Sequence, residues 1–180
     1  MEIRERREDD LDALVAVADR VHQVDGYPIF LPGGDLVRFL TRPTPAAAWV
    51  AVRDGEIVGH VALNDETSRS VMELVVDRRP TLPPAYVARL LVDPSSRGEG
   101  IGGRLLEQAR RTAIDSGHQP YLDVVDTPST APAIALYRRA GWEEIGRVHF
   151  DLIGDEIDEL VFCGPAEGLE APGRPHQPRA

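Results

Sequence analysis

A glycine-rich stretch between an apolar run and an amphipathic run constrains the fold of this chain most. The run 85–92 ends in Leu90, Leu91 and Val92 and predicts a β-strand, whereas 100–116 has apolar side chains at helical spacing. Between them, the stretch 98–103 contains four glycines. A strand that enters a helix through such a loop directs backbone N–H groups and the positive end of the helix dipole at one point. That point suits a phosphate or pyrophosphate, because glycine lets the backbone approach the phosphate oxygens closely.

Three other interpretations of this loop are disfavoured or excluded. Residues 98–103 match the G-x-G-x-x-G pattern of dinucleotide-binding enzymes, so an NAD-dependent oxidoreductase is an alternative. The context disfavours it, because 93–97 separate the strand from the first glycine and several strands precede the loop, unlike that fold. No G-K-[ST] follows, which excludes a P-loop. A turn that binds nothing is also disfavoured, since so many glycines at a helix start are costly to order.

The remaining periodicities predict a mixed α/β chain. Alternating and β-rich runs predict strands at 2–6, 47–53, 56–63, 71–76, 85–92, 121–125, 142–152 and 156–163. Helices are predicted after a cap at Asp9 or Asp10, and at 35–40, 100–116 and 129–140, with an irregular segment at 22–32. Asp54 and Gly55 favour a tight hairpin turn between two of the strands.

The length of 180 residues suits one domain. We place it at 1–163, because the tail 164–180 is rich in proline and glycine, has no apolar periodicity and is expected to be flexible. The single cysteine, Cys163, excludes an intramolecular disulfide and favours a reducing cytoplasm.

Charge and hydropathy exclude several classes of function. The formal net charge of −10 and the lack of a basic stretch argue against a nucleic-acid partner. Acidity is compatible with cationic or neutral partners, although many soluble enzymes are acidic for solubility alone, which is the favoured interpretation. No run approaches the roughly 20 apolar residues of a membrane span, and the N-terminus lacks the apolar core of a signal peptide, so we expect a cytoplasmic protein. The histidines lack metal-ligand spacing, and no metal is predicted.

Two motifs resemble those of one enzyme family. Val92-Asp93-Pro94-x-x-Arg97-Gly98-x-Gly100-Ile101-Gly102 is similar to the acetyl-CoA-binding motif of the GNAT superfamily of N-acetyltransferases, with its core [R/Q]-x-x-G-x-[G/A]. The segment 133–142 resembles the family helix A-x-x-L-Y-x-x-x-G-[F/W]. The motifs stand in the family's order with a predicted strand between them, and the resemblance extends over roughly 1–163.

The resemblance implies an α/β (α+β) fold with a central mixed, mostly antiparallel sheet of about six to seven strands and about four flanking helices. It also implies an N-acetyltransferase that moves an acetyl group from acetyl-CoA to a primary amine of a small molecule or peptide, directly in a ternary complex. Such an enzyme is expected as a monomer or homodimer. A non-catalytic acyl-CoA-binding or sensing module is the alternative.

The resemblance implies where the cosubstrate binds. The strand of Leu91 is expected to diverge from 121–125, to pair with the pantetheine arm and to polarise the thioester carbonyl with an N–H near Leu91 or Val92. Thr130 stands where the family often has asparagine, after a lengthened loop at 126–128. The implied cofactor-binding residues are Leu90, Leu91, Val92, Arg97, Gly98, Glu99, Gly100, Ile101, Gly102, Gly103, Thr130 and Tyr137.

The resemblance also implies catalytic groups. Tyr137 is the expected general acid toward the departing thiolate, with packing against the helix face as the alternative. Asp123 is a candidate base because some family members carry a glutamate there; Glu73, a water chain or no dedicated base are alternatives. The acceptor is expected near 22–32 and the acidic turn 151–158, whose charges either attract a cation or are simply solvated.

Overall fold

A seven-stranded sheet forms the centre of the protein, with strand order β1-β2-β3-β4-β5-β7-β6. The computed structural model describes residues 1–29, 31–152 and 155–166. Neighbouring strands are antiparallel except for the parallel pair β4–β5. The strands are β1 (Glu2–Glu5), β2 (Ala47–Arg53), β3 (Glu56–Asn64), β4 (Pro84–Val92), β5 (Gln119–Val125), β6 (Glu143–Leu152) and β7 (Asp155–Cys163).

Helices cover both faces of the sheet, as alternation along the buried strands requires. One side, called here the α4 face, packs Val87, Leu122 and Phe162 against α4 and α5. The opposite side, the α1 face, packs against α1, α2 and α3. The helices are α1 (Leu11–Asp25), α2 (Leu36–Thr41), α3 (Arg69–Asp77), α4 (Ile101–Asp115) and α5 (Ala131–Arg139). The predicted fold class is confirmed, with five such helices in the described part of the chain.

The strand predicted at 71–76 is wrong, because this segment lies within α3. Val71 and Val75, four residues apart, are both buried against the sheet, and Ser68 caps the helix by accepting the N–H of Val71. The run of branched apolar residues resembles a strand locally, but a strand would place Glu73 on the same face as both valines, whereas the helix leaves Glu73 exposed.

Smaller differences concern helix ends. Helix α1 continues to Asp25 and ends at Gly26 with a positive φ of 70°, so the irregular segment begins later than predicted. Asp10 precedes α1 but makes no side-chain cap to it; its carboxylate binds Arg4 and the N–H of Arg7. Most of the predicted tail, 167–180, lies outside the described residues, and the boundary at 163 stays a prediction.

A bulge in β4 separates this strand from β5. Their pairing covers only Pro84↔Gln119 to Tyr86↔Tyr121. At Arg89 the backbone adopts a φ of 54°, and the β3–β4 register shifts nearby. Beyond the bulge the faces exchange: Leu91 is buried in the α1-face cluster, while Leu90 and Val92 pack on the α4 face. The bulge therefore opens the sheet between β4 and β5.

Gly59 tests how tightly α4 packs on the sheet. A Cβ added there would lie 2.9 Å from Leu105 Cδ1 and 3.0 Å from the Leu91 carbonyl oxygen, so Gly59→Ala should lower the free energy of unfolding by about 1–3 kcal/mol. Gly103→Ala is the control, because its Cβ meets only Leu136 at 3.7 Å and alanine favours the helix by about 0.5–1 kcal/mol. Urea denaturation measures both; equal stability of the two variants would contradict the packing argument.

Candidate functional site

The divergence of β4 and β5 leaves a cleft between the two strands. Past Tyr86 and Tyr121 the two strands no longer pair, so the backbone of 87–92 has no strand partner on the β5 side. The predicted divergence of the Leu91 strand from 121–125 is therefore confirmed. Unpaired backbone N–H and C=O groups in a strand are suited to an extended ligand that adds as a further strand.

The glycine loop presents free amides at the start of α4. Gly98 and Gly100 have φ values of 83° and 77°, which favour glycine, and Gly100 is the N-cap without a side-chain cap. The first helical bond runs from Arg104 N to Gly100 O at 3.2 Å, so the N–H groups of the first three helical residues have no acceptor within the helix. This arrangement forms an anion site at the N-terminus of a long helix.

At Gly102 a side chain is disfavoured by protein packing, and not by the approach of a phosphate as the sequence suggested. A Cβ there would lie 3.3 Å from Leu136 Cδ2 of α5 and 3.5 Å from Val92 Cγ2. Sequence reasoning attributed all these glycines to close approach of a phosphate. The structure instead makes Gly102 a packing contact between the two motif helices, whereas Gly98 and Gly100 are required by backbone conformation.

Asp93, which sequence reasoning did not single out, fixes the turn into this loop. Its carboxylate accepts the N–H of Ser95 at 3.0 Å and the Ser95 hydroxyl at 2.7 Å, and it binds Arg20 Nη2 at 2.6 Å. Burial raises the pKa of Asp93, but the hydrogen bonds from Ser95 and Arg20 outweigh burial and lower it. The Asp-Pro-Ser sequence is the local signal for such a turn.

Several predicted cofactor-binding residues have side chains that are already engaged. Arg97 binds Asp25 at the end of α1, with 2.5 Å between Nη2 and Oδ2, and Glu99 pairs with Arg53. Ile101 and Leu91 are core residues, each 1% exposed. These positions can therefore serve an anionic ligand through their main chain without rearrangement.

Thr130 has a structural role at the start of α5. Its hydroxyl donates to the carbonyl oxygen of Val125 at 2.5 Å and accepts the N–H of Thr127 at 3.1 Å. These bonds fix the connection between β5 and α5. Its contact with a cofactor stays a prediction.

Tyr137 projects from α5 beside the cleft. It is 7% exposed and packs against Trp142 and Phe162. Burial, followed by the negative potential of Tyr27 and Asp123, raises the pKa of Tyr137, so the phenol stays protonated at neutral pH. A protonated phenol can donate a hydrogen bond to an atom that gains negative charge.

Asp123 and Glu159 lie together on the α1 face of the cleft. The Thr67 hydroxyl donates to Asp123 Oδ1 at 3.0 Å, and burial raises the pKa of Asp123 against this bond. Burial and the nearby charge of Asp123 raise the pKa of Glu159 to about 7. Sequence reasoning missed Glu159, because it is one of four acidic residues in β7 and no local pattern distinguishes it from the others.

Tyr27 closes this group of residues from the loop after α1. Burial raises the pKa of Tyr27, and the charges of Asp123 and Glu159 raise it further. The charge and backbone hydrogen bond of Arg89 act in the opposite direction but do not outweigh these effects. The predicted acceptor segment 22–32 therefore does reach the cleft. The structure brings together Tyr27, Asp123 and Tyr137 from three separate elements.

Glu73 does not belong to this group. It lies on the outer side of α3, exposed and paired with Arg69 at 2.7 Å. In the turn predicted to meet the acceptor, residues 153–154 and several acidic side chains lie outside the described parts. Asp158, the last residue of the predicted turn, lies within β7 and pairs with Arg147 and His149.

Neither a cluster of metal-binding side chains nor a membrane-spanning helix occurs among the described residues. Residues 1–29, 31–152 and 155–166 contain no group of three or more His, Cys, Asp or Glu side chains placed to hold a metal ion. Over the same ranges, every helix is too short or too polar to cross a membrane.

Comparison with known proteins identifies the family. The family model described as "Acetyltransferase (GNAT) family" matches residues 18–142, which include the glycine loop, strands β4 and β5 and Tyr137. The chain belongs to the acetyltransferase (GNAT) family. It is therefore an acetyl-CoA-dependent N-acetyltransferase, and the resemblance of its two motifs is confirmed.

Relatives and solved structures agree with this GNAT assignment. An N-alpha-acetyltransferase of Sulfurisphaera tokodaii is 29% identical over 166 residues, covering 91% of this chain and 92% of that protein. The ribosomal-protein-alanine N-acetyltransferase of Brucella melitensis has the same fold, with a TM-score of 0.64 at 23% identity, covering 91% of this chain and 98% of that one. Arabidopsis thaliana NAA60 in complex with acetyl-CoA gives a TM-score of 0.64 at 21% identity, with coverage of 90% and 96%.

The glycine loop of this GNAT protein can be tested with two matched substitutions. Gly100→Ala and Gly117→Ala both place a Cβ at a positive φ, 77° and 78°, at opposite ends of α4, and neither Cβ meets an atom within 4 Å. Each should cost about 1–2 kcal/mol of stability. Only Gly100→Ala should weaken coenzyme A binding, by about tenfold or more, because it turns the free amides away from the diphosphate.

Isothermal titration calorimetry with coenzyme A measures this difference, and urea denaturation checks that the two variants are equally strained. Equal affinity of both variants for coenzyme A would contradict the anion site at the start of α4.

Proposed function

We propose that this GNAT enzyme acetylates the α-amino group at the N-terminus of a polypeptide, by direct transfer from acetyl-CoA in a ternary complex. Direct transfer is supported by the cleft that forms where β4 and β5 stop pairing after Tyr86 and Tyr121, because we infer that such a gap is accessible from both faces of the sheet. Two substrates can then meet from opposite sides without a covalent enzyme intermediate. The acceptor class is supported by the 29%-identical relative, whose name specifies an N-alpha-acetyltransferase.

We assign the cosubstrate to the α4 face. The amides from Arg97 to Gly103 face the diphosphate, and the unpaired backbone of Leu90, Leu91 and Val92 hydrogen-bonds the pantetheine arm. Acetyl-CoA supplies the activated acyl group as a thioester. We assign to an N–H of Leu91 or Val92, next to the bulge, the stabilisation of negative charge on the acyl oxygen.

The amine is assigned to the α1 face, where Tyr27 and Asp123 lie. A carboxylate there attracts the ammonium form of the acceptor and favours loss of its proton. Tyr137, held protonated by its burial, donates toward the sulfur that leaves. The negative carboxylate of Asp123 thus lies beside the cationic amine, and the protonated hydroxyl of Tyr137 serves the sulfur that gains negative charge.

The setting of this activity is inferred from the sequence and from the family resemblance. We expect the catalytic unit to comprise 1–163, with a flexible tail at 164–180, and to act in the cytoplasm as a monomer or homodimer without a nucleic-acid or membrane partner.

The acceptor class can be tested with three amines at equal concentration. Thiol release from acetyl-CoA is measured with each of three acceptors: a peptide with a free N-terminus, an N-acetylated peptide whose only amine is an internal lysine, and spermidine. We expect turnover of the free N-terminus only, because an α-amine with a pKa of about 8 offers far more neutral amine at pH 7.5 than a lysine side chain does. Equal turnover of the blocked peptide or of spermidine would reject the proposed acceptor.

Tyr137 can be tested by removing only its hydroxyl. Tyr137→Phe should lower kcat by about 100-fold, the usual scale for losing a positioned acid, while leaving the affinity for coenzyme A unchanged. Tyr121→Phe is the control, since Tyr121 is buried under α3. An unchanged kcat for Tyr137→Phe would mean that Tyr137 serves packing alone.

A further inference from the structure

Glu159 lies beside Asp123 at the acceptor side of the cleft, and neither the motifs nor the comparisons assign it a role. We propose that Glu159 and Asp123 act as one acidic pair, in which Asp123 stays ionised to bind the ammonium group of the acceptor and Glu159 receives its proton. The proposal rests on amine acetylation as the reaction of this family and on the acceptor side assigned above, and not on which amine is the acceptor.

Strand pairing places both carboxyl groups on the same face. Across β5 and β7, Asp123 stands opposite Val161 and Val125 stands opposite Glu159. The two acids are therefore diagonal neighbours, and both share the side of Tyr121 and Val161, which pack against α3 on the α1 face. Carboxyl groups in this relation are close enough for each to influence the proton of the other.

The two carboxyl groups have different hydrogen-bond partners. Asp123 accepts from the Thr67 hydroxyl at 3.0 Å, which favours its ionised form. Glu159 Oε2 is buried, and among the described residues no donor reaches it. A carboxyl without a donor is easier to protonate than one that accepts a hydrogen bond, so Asp123 keeps the charge and Glu159 takes the proton.

No cation among the described groups neutralises the pair. From β6, Val148 stands opposite Glu159, while Arg147 and His149 bind Asp158 on the other face. Helix α3 presents the apolar Val71 and Val75. The other titratable groups whose pKa values respond to Asp123 are Tyr27, Tyr86 and Tyr137. The cation Arg89 acts on Tyr27 and not on either acid; its Nη2 donates to the carbonyls of Arg42 and Pro43, and its buried Nη1 has no partner among the described residues. A protonated acceptor amine is the cation that this arrangement lacks.

The proton transfer balances without another reactant. The N–H bond of the bound ammonium breaks, its electron pair stays on nitrogen, and the proton bonds to a carboxylate oxygen of Glu159. The products are a neutral amine, able to attack the acyl carbon, and a neutral carboxylic acid. Burial and Asp123 raise the pKa of Glu159 to about 7, which suits a base that must accept and release a proton near neutral pH.

The first test follows the carboxyl groups of the free enzyme by ¹³C NMR, without any acceptor. One carboxyl signal should titrate near pH 7, disappear in Glu159→Gln and move to lower pH in Asp123→Asn, because removing the neighbouring charge makes Glu159 easier to ionise. The proposed pair would be rejected if the Glu159 signal titrates near 4.5 in the wild type, or if its titration is unchanged in Asp123→Asn.

The second test measures kcat/KM from pH 6 to 9 with the free N-terminal peptide, or with spermidine if that peptide is not a substrate. Glu159→Gln should lower kcat/KM for the amine by about 100-fold and remove the rise near pH 7, with the affinity for coenzyme A unchanged. Glu73→Gln, on the outer side of α3, should match the wild type. A pH profile of Glu159→Gln that matches the wild type would refute the role of Glu159. If the wild type acetylates spermidine but not the peptide, only the proposed acceptor class is refuted.

Stability provides the folding control. The pKa of Glu159 is raised from 4.5, so the native state holds this proton more tightly and the wild type loses stability as pH rises from about 4.5 to about 7. Glu159→Gln lacks this loss, and its Tm should exceed that of the wild type more at pH 8 than at pH 5. A smaller Tm difference at pH 8 than at pH 5 would contradict the raised pKa.

Discussion

The bulge at Arg89 is the constraint on which the site depends. His60, fully buried, donates from Nδ1 to the Arg89 carbonyl at 3.0 Å, and burial lowers its pKa to about 4, so the ring is neutral. The Arg89 guanidinium, 6% exposed, donates to the Arg42 carbonyl at 2.7 Å. Buried polar groups of this kind are costly unless they are bonded, so they hold the backbone in a conformation that costs energy. Without the bulge, β4 would continue beside β5 and no cleft would exist.

The sheet also separates opposite electrostatic requirements. The free amides of α4 favour an anion on one face, while Asp123 and Glu159 favour a cation on the other. If both groups were on one face, the acids would repel the diphosphate that the amides attract. An opening through a sheet brings the reacting atoms together while each charged group of the substrates remains beside its own partners.

Local patterns predicted much of this arrangement, and long-range contacts account for the rest. The hairpin at Asp54 and Gly55 and the glycine loop before α4 depend on nearby residues, so their positions were predictable. Helix α3 was misread, because only the sheet beneath it decides which side of the segment is buried. Glu159 was missed for a related reason: it meets Asp123 only through the pairing of β5 with β7, and a single sequence does not give that register.

Helix α1 links the two sides of the site. Arg20 binds Asp93 in the turn that leads to the glycine loop, and Asp25, at the end of the helix, binds Arg97 within the motif. The chain then turns at Gly26 and places Tyr27 beside the acidic pair. A short, buried core of Leu14, Val17, Ala18 and Val21 fixes the helix on the sheet. Because one rigid helix contacts the anion loop and positions the acceptor-side tyrosine, the two halves of the cleft hold their relative positions through α1 as well as through the sheet.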